Sequence, residues 1–386
     1  MTKISDLITI HSGYAQYVNL VHTFKDPTKN RGRMEQYMPI KSHRDAFAQL
    51  TRALYPLDNR VYLLTGSYGT GKSHLCLMLA NYLSLKPDAP EMAAFFQHWA
   101  QRDADGAEKL RNLRGEGRYL IALGGYGSGG DLDGMVLRAL QDAVKREELD
   151  TAWLDTHYQE AVRQIERWEA RERRGGPSGA FDDFRAELAA RHPGRTLNAL
   201  KADLAKFKQE ALHSFQEVYR LVIGHEFAYS KDNLVAIMQD FLAHPQFKTR
   251  YKGLVILADE FGYLLDRGSI SIDVFQRFAE MCQSGVAGSQ LIFVGTGHKA
   301  FRAYAAGGLS SADFAVAADR VKEVPLESEE LELVIAAIVM PDKDHPAWTA
   351  EVAPHAGTFN RFALTASRIG IFKHLKGPEL RTRIVE

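Results

Sequence analysis

The sequence predicts an α/β fold: a three-layer structure with a parallel sheet between helices, interrupted by a long helical insertion. Residues 61–65 are apolar and β-prone and lead into a glycine-rich loop, which helix formers follow at 74–80. Residues 253–258 form a second apolar run. Strands that are apolar on both faces are typical of parallel sheets, because helices cover both sides. Between these runs, residues 132 to about 250 have an almost wholly helical pattern, which predicts the insertion.

The glycine-rich loop matches the pattern G-x-x-x-x-G-K-[ST] over its full length, with a strand before it and a helix after it. Glycines let the backbone turn its N–H groups toward a triphosphate, and the following helix adds its positive N-terminal end. Lys72 is expected to contact the β- and γ-phosphates, and the Ser73 hydroxyl to bind Mg²⁺. The predicted ATP-binding residues are Gly66, Ser67, Tyr68, Gly69, Thr70, Gly71, Lys72, Ser73 and the adjoining His74.

Two acids, Asp259 and Glu260, close the second apolar run. The carboxyl ends of parallel strands form the crevice where ligands bind, so we expect both acids near the glycine loop. Asp259 is predicted to hold Mg²⁺ together with Ser73, and Glu260 to polarise the attacking water. A water-activating acid favours an ATP hydrolase over a module that only binds ATP.

Two further residues are candidates for catalysis. Thr296 ends an apolar strand that should lie between the two motif strands, where a polar side chain can contact the γ-phosphate or orient water; His298 is the second choice for this role. Arg320 precedes a strand-like segment at 321–326, a place from which oligomeric ATPases supply charge to the neighbouring subunit's γ-phosphate. Ordinary roles stay open: a turn former for Thr296 and His298, and a surface arginine for Arg320.

Composition limits the partners. The chain has 386 residues, with 48 basic and 48 acidic ones, so any DNA contact must come from a local patch. Five arginines between 163 and 174 alternate with glutamates, which favours an ion-paired surface over a nucleic-acid surface. Two separate cysteines favour a reducing cytoplasm over zinc or disulfides, and no apolar run is long enough to cross a membrane.

The motif order resembles the AAA+ superfamily of P-loop ATPases over roughly residues 36–330. Residues 37–42, the loop and the acids followed by Phe261-Gly262 are similar to the large ATPases of BREX-type phage-defence systems, the PglY/BrxC-like group. This resemblance implies ATP turnover that drives conformational change or assembly in an antiviral complex acting on foreign DNA. It also implies a homo-oligomer, with other defence proteins as partners.

The predicted domains are a lead-in at 1–35, the ATPase domain at 36–330 and a partial or minimal helical lid at 331–386. Because members of this group are typically longer, the chain is either the N-terminal part of a longer protein or a short homologue. No convincing lid arginine is found; Arg361 and Arg368 are the candidates. Two other functions stay open: a slow-turnover nucleotide switch that signals by oligomerising, and a DNA-loading ATPase similar to the origin-recognition type.

Overall fold

The computed structural model describes most of the chain. These residues are 8–10, 18–56, 58–86, 88–115, 117–125, 131–149, 156–227, 234–268, 270–307, 311–327 and 339–341, with short pieces between 347 and 361. The chain divides into two units, Val18–Glu327, and Met1–Tyr17 with Ser328–Glu386. In the second unit, strands β1 (Ile8–Ile10) and β7 (Val339–Pro341) pair antiparallel.

The unit Val18–Glu327 is built around a parallel sheet of five strands. They are β2 (Val61–Thr65), β3 (Tyr119–Gly124), β4 (Gly253–Ala258), β5 (Gln290–Gly297) and β6 (Lys322–Pro325). Their order is β3-β4-β5-β2-β6, and every neighbouring pair is parallel. The predicted α/β fold with a parallel sheet is confirmed. As expected, β5 lies between the two motif strands β2 and β4.

Helices surround this sheet. They are α1 (Leu20–Lys25), α2 (Pro27–Glu35), α3 (Lys41–Leu50), α4 (Lys72–Ser84), α5 (Ala93–Ala100), α6 (Ala104–Arg114), α7 (Leu132–Arg146), α8 (His157–Arg173), α9 (Gly179–Arg191), α10 (Leu197–Leu204), α11 (Gln209–Ile223), α12 (Leu234–Ala243), α13 (Pro245–Arg250), α14 (Phe261–Asp266), α15 (Ile272–Ser284) and α16 (Ser311–Asp319). None of the helices in the described ranges is long and apolar enough to cross a membrane.

The two faces of the sheet belong to two separate hydrophobic clusters. Alternate residues of each central strand face opposite sides, as the period of a strand requires. Leu63 and Phe293 join the cluster that includes helices α7 and α15. Leu64 and Ile292 join the cluster that includes α3, α4 and α5. The sheet is therefore covered on both sides, which explains why its central strands are almost continuously apolar.

The helical region after β3 shares a hydrophobic core with the sheet. Helix α7 packs against β3, whereas α8 to α11 pack mainly on one another. Even so, Phe184, Leu200 and Phe215 from the latter group lie in the same hydrophobic cluster as Leu254 of β4. The predicted insertion thus begins with a helix of the α/β layers and shares one core with the sheet.

The compact unit begins at Val18 rather than at the predicted residue 36. The polar lead-in forms helices α1 and α2, which Asn19 and Asp26 cap at their N-termini. Leu20 and Met34 are buried in the same cluster as α4. Only a few apolar residues of this segment pack against the unit. Its mainly polar composition therefore gives little indication that the segment is part of the unit. Most of the predicted lid, including Arg368, lies outside the described residues.

Candidate active site

The glycine loop joins the carboxyl end of β2 to helix α4, which starts at Lys72. Gly69 and Gly71 have φ angles of 83° and 86°, a left-handed conformation that residues with a Cβ rarely adopt. At Gly71 a Cβ would also lie 2.7 Å from the His43 ring. Backbone conformation and the neighbouring imidazole therefore both require glycine here.

The loop presents backbone donors that the protein itself does not use. The N–H groups of residues 67–71 donate to no acceptor in the described part of the chain, and the N-terminus of α4 has no side-chain cap. Unpaired N–H groups at a helix N-terminus favour an anion, because the helix dipole adds to the hydrogen bonds. This donor set fits a phosphate group.

Lys72 is buried beneath the loop, with 9% of its surface exposed. Its ammonium donates to the carbonyl oxygens of Gly66 at 2.7 Å and Ser67 at 2.8 Å, and an ammonium has a third donor. Burial lowers the pKa of Lys72, and the charge of Asp259 partly opposes that shift. The loop lysine and the first acid of the pair are thus close enough to interact.

Thr296 connects the two acids that follow β4. Its hydroxyl donates to Asp259 Oδ1 at 2.9 Å and accepts a hydrogen bond from the Glu260 N–H at 2.8 Å. Glu260 has the left-handed angles φ 59° and ψ 28°, which are costly for a residue other than glycine. Only 2% of Thr296 is exposed. The Thr296 hydroxyl is therefore hydrogen-bonded to both acids, and its role at a γ-phosphate stays a prediction.

His298 lies against the first half of the loop. Its Nδ1 donates to the Gly66 carbonyl at 3.3 Å, and its ring centroid is 3.9 Å from that of Tyr68. Tyr68 is 83% exposed. The structure therefore brings both candidates from the end of β5 to the site: Thr296 to the acids, and His298 to the loop.

Tyr37 and His43 support the loop from behind, and no catalytic motif in the sequence points to either. His43 Nε2 lies 3.0 Å from the Thr70 carbonyl, and Nδ1 lies 3.2 Å from the Tyr37 hydroxyl. A carbonyl can only accept, so Nε2 carries the proton and Tyr37 donates to Nδ1. Burial lowers the pKa of His43, which favours this neutral ring. The family resemblance of residues 37–42 is the one sequence signal near this pair.

The sequence predicts that His74 binds ATP, but its side chain has another partner. Its Nε2 lies 3.1 Å from the Arg33 carbonyl, and its ring packs edge-on against Tyr37. Burial lowers the pKa of His74 to about 4. The imidazole thus joins helices α2 and α4, and only the backbone of His74 is left for a ligand of the loop.

Arg320 lies at the opposite edge of the sheet from the loop. It precedes β6, and its carbonyl accepts from Asn59, which comes just before β2. The glycine loop follows the other end of β2, a strand of five residues, which spans about 16 Å. The guanidinium pairs with Glu280 at 2.6 Å. Within one subunit, Arg320 is therefore too far from the loop to touch a phosphate bound there.

Other candidates stay outside the site. Arg163 and Arg167 pair with Glu160, as the ion-paired interpretation of that helix predicts. Cys76 and Cys282 are free and buried. Arg361 belongs to the unit outside Val18–Glu327.

No protein-family model, curated protein or solved structure matches this chain.

The chemistry of the residues at the carboxyl edge of the sheet indicates what each of them can do. The loop and Lys72 can bind and neutralise phosphate oxygens. Ser73 and Asp259 supply the oxygen ligands that Mg²⁺ prefers. Glu260 has a carboxylate, which can accept a proton, and its backbone N–H is held by Thr296. The described residues contain no group of three or more His, Cys, Asp or Glu that could hold a metal alone.

Proposed function

We propose that this chain binds ATP with Mg²⁺ and hydrolyses it. One observation carries the proposal: an uncapped helix N-terminus with a buried lysine lies at the same sheet edge as an acid pair fixed by a threonine. Donors for a phosphate chain and a base for water are thus held at the same edge of a parallel sheet, the edge where α/β proteins bind ligands.

Each residue has a role in this proposal. The N–H groups of residues 67–73 and the Lys72 ammonium bind the phosphate chain and stabilise the charge that develops in the transition state. Glu260 accepts a proton from the attacking water. Thr296 holds Glu260 and Asp259 in position, and Tyr37 with His43 holds the second half of the loop.

Mg²⁺ fits the oxygen donors present. Ser73 and Asp259 would hold it, with phosphate oxygens and water as further ligands, as is usual for Mg²⁺ at nucleotide sites. When bound, the ion neutralises charge on the β- and γ-phosphate oxygens. A hydroxyl and one carboxylate are a typical protein contribution for such a site.

The test is phosphate release from ATP by the purified chain. We expect the wild type to release phosphate in a Mg²⁺-dependent reaction. Lys72→Ala should abolish both this release and tight nucleotide binding. Glu260→Gln should keep nucleotide binding and lose turnover, because the amide cannot accept the proton. Equal release by wild type and Lys72→Ala would overturn the proposal, and unchanged turnover in Glu260→Gln would remove Glu260 as the base.

The biological setting is a separate part of the proposal. The resemblance to BREX-type ATPases supports a homo-oligomer that couples ATP turnover to conformational change or assembly in an antiviral complex, with other defence proteins as partners. Loss of phage resistance in cells that carry Lys72→Ala, at unchanged protein level, is the expected outcome. Full resistance in those cells would contradict this setting without affecting the ATPase assignment.

A further inference from the structure

A shallow basic cleft of about 360 Å³ lies at the amino edge of the sheet, opposite the glycine loop. Its charged lining residues in the described chain are all cations: Arg118, Lys248, Arg250 and Lys252. We call this surface the basic cleft. Since basic and acidic residues balance over the whole sequence, four cations without an acid in one lining is a local concentration of charge.

The sheet register brings these cations together. Arg118 precedes β3 and Lys252 precedes β4. The Lys252 N–H donates to the Arg118 carbonyl at 2.9 Å, and the Gln290 N–H donates to the Lys252 carbonyl at 3.1 Å. Segments far apart in sequence are thus held side by side by the parallel strands. Their backbone positions are fixed by the core of the unit.

Three of the four cations are not neutralised by the protein. Lys248, Arg250 and Lys252 are exposed and form no ion pair with the described residues. Arg118 pairs with Glu147, which also accepts from the Tyr251 hydroxyl at 3.1 Å. Other exposed cations, such as Arg277 and Lys299, pair with an acid, Asp273 and Asp266 respectively. The basic cleft therefore carries uncompensated positive charge.

We infer that the basic cleft binds the phosphate backbone of duplex DNA without sequence preference. Its exposed cations stay hydrated, so affinity must come from several phosphates whose counterions are released, rather than from one desolvated anion. A duplex presents more phosphates per unit length than a single strand. Tyr251 is 4% exposed and cannot stack on bases. With no exposed aromatic in the described lining, contacts to the backbone are favoured over contacts to bases.

Binding at the basic cleft does not depend on ATP. The basic cleft and the glycine loop occupy opposite edges of one sheet, so binding of duplex DNA needs no nucleotide. Lys72→Ala, which removes the loop lysine, should bind duplex DNA as the wild type does. Failure of the ATPase proposal and failure of this one are thus distinguishable.

The experiment measures fluorescence anisotropy of a labelled duplex with the full chain over a series of salt concentrations, without nucleotide. The test variant is Lys248→Ala/Arg250→Ala/Lys252→Ala. The control is Arg191→Ala/Arg277→Ala/Lys299→Ala, which makes the same change in net charge at cations that have acidic partners. Thermal unfolding of each variant checks that the fold is kept.

We expect log K to fall with log salt with a slope of about −0.9 for each phosphate bound. The test variant should bind more weakly, and the magnitude of its slope should be smaller by about 1 for each phosphate that it no longer binds. The control should change neither the affinity nor the slope. Equal weakening in both variants would overturn the inference, as would a single strand of the same length binding more tightly. Equally tight binding of polyglutamate would also overturn it, by indicating a general polyanion surface.

Discussion

At the residue scale, the Thr296 hydroxyl determines how both acids are held. It uses its single donor on Asp259 and its oxygen on the Glu260 N–H, so Glu260 keeps a backbone conformation that is costly without support. A hydrogen bond to a charged group contributes about 1.5–3 kcal/mol. One side chain therefore holds both the backbone N–H of the candidate base and a carboxylate oxygen of Asp259.

Thr296→Val should lower the rate of phosphate release by about 10- to 100-fold, because the acids lose their common partner. Nucleotide affinity should change little, since the loop and Lys72 are not altered. Thr296→Ser keeps the hydroxyl and should recover most of the rate. Steady-state ATPase assays with separate binding titrations check this, and a wild-type rate in Thr296→Val would contradict it.

His43 is expected to act on nucleotide affinity. His43→Leu removes the donor to the Thr70 carbonyl, and we expect the Kd for ATP to rise by about 5- to 30-fold, equivalent to about 1–2 kcal/mol. His43→Gln can still donate and should recover part of that affinity. Tyr37→Phe, which removes only the hydroxyl that faces Nδ1, is the matched control with a smaller effect. Equal affinity in wild type and His43→Leu would exclude a supporting role.

The same histidine makes stability depend on pH. Burial lowers its pKa from the usual 6.5, so the unfolded chain binds a proton more readily than the folded one. The buried neutral imidazole therefore contributes its full free energy of unfolding above pH 6.5. That contribution is lost as pH falls from 6.5 through the lower pKa of the folded state. His43→Gln does not titrate and should lose less free energy of unfolding between about pH 7 and about pH 5. Urea unfolding at several pH values tests this, and parallel curves for the two proteins would refute it.

At the element scale, helix α4 is held at both ends by different means. Its N-terminus carries the loop, and its C-terminus is capped by Arg114, a residue of α6 that is 1% exposed. The guanidinium donates to the carbonyls of Tyr82 and Leu85, each at 2.7 Å, and also to those of Gly115 and Gly117. A cation at a helix C-terminus also interacts favourably with the helix dipole.

Arg114→Met should therefore destabilise the fold by about 2–4 kcal/mol, because it leaves one buried and three part-buried carbonyls without their donor. Lys109→Met on the same helix, at an exposed position, should change stability by less than about 0.5 kcal/mol. Chemical unfolding of both variants measures the difference. Similar midpoints for the two would show that Arg114 does not anchor α4.

Elements with local signals can be predicted from the sequence, and those with distant partners cannot. Glycine spacing and the apolar runs locate the loop, the acids and their strands, because the residues that form each element are adjacent in sequence. The contact between His43 and Thr70 joins residues 27 positions apart, and the capping of α4 by Arg114 crosses from another helix. Such pairings depend on tertiary packing, which periodicity does not encode.

At the scale of the whole unit, the parallel direction of all five strands places the two proposed binding surfaces at opposite edges of the sheet. The carboxyl edge holds the loop and acids, and the amino edge holds Arg320 and the basic cleft. The motif pattern predicts β5 between the motif strands, but it cannot place cations from separate segments in one cleft. That placement follows from strand register, which a single sequence does not reveal.

The position of Arg320 leads to a prediction about oligomers. Because it lies at the far edge from its own loop, any contact with a γ-phosphate must be made in another subunit, after release from Glu280. Arg320→Ala and Lys72→Ala proteins should each be inactive alone, and mixing them should recover part of the activity. In mixed oligomers, a Lys72→Ala subunit supplies its arginine to an intact loop in an Arg320→Ala neighbour. ATPase rates across mixing ratios at fixed total protein test this. A rate that never exceeds the sum of the rates of the separate proteins would argue against a shared site. Glu280→Gln is the control: it frees Arg320 from its ion pair without removing it, and should stay active.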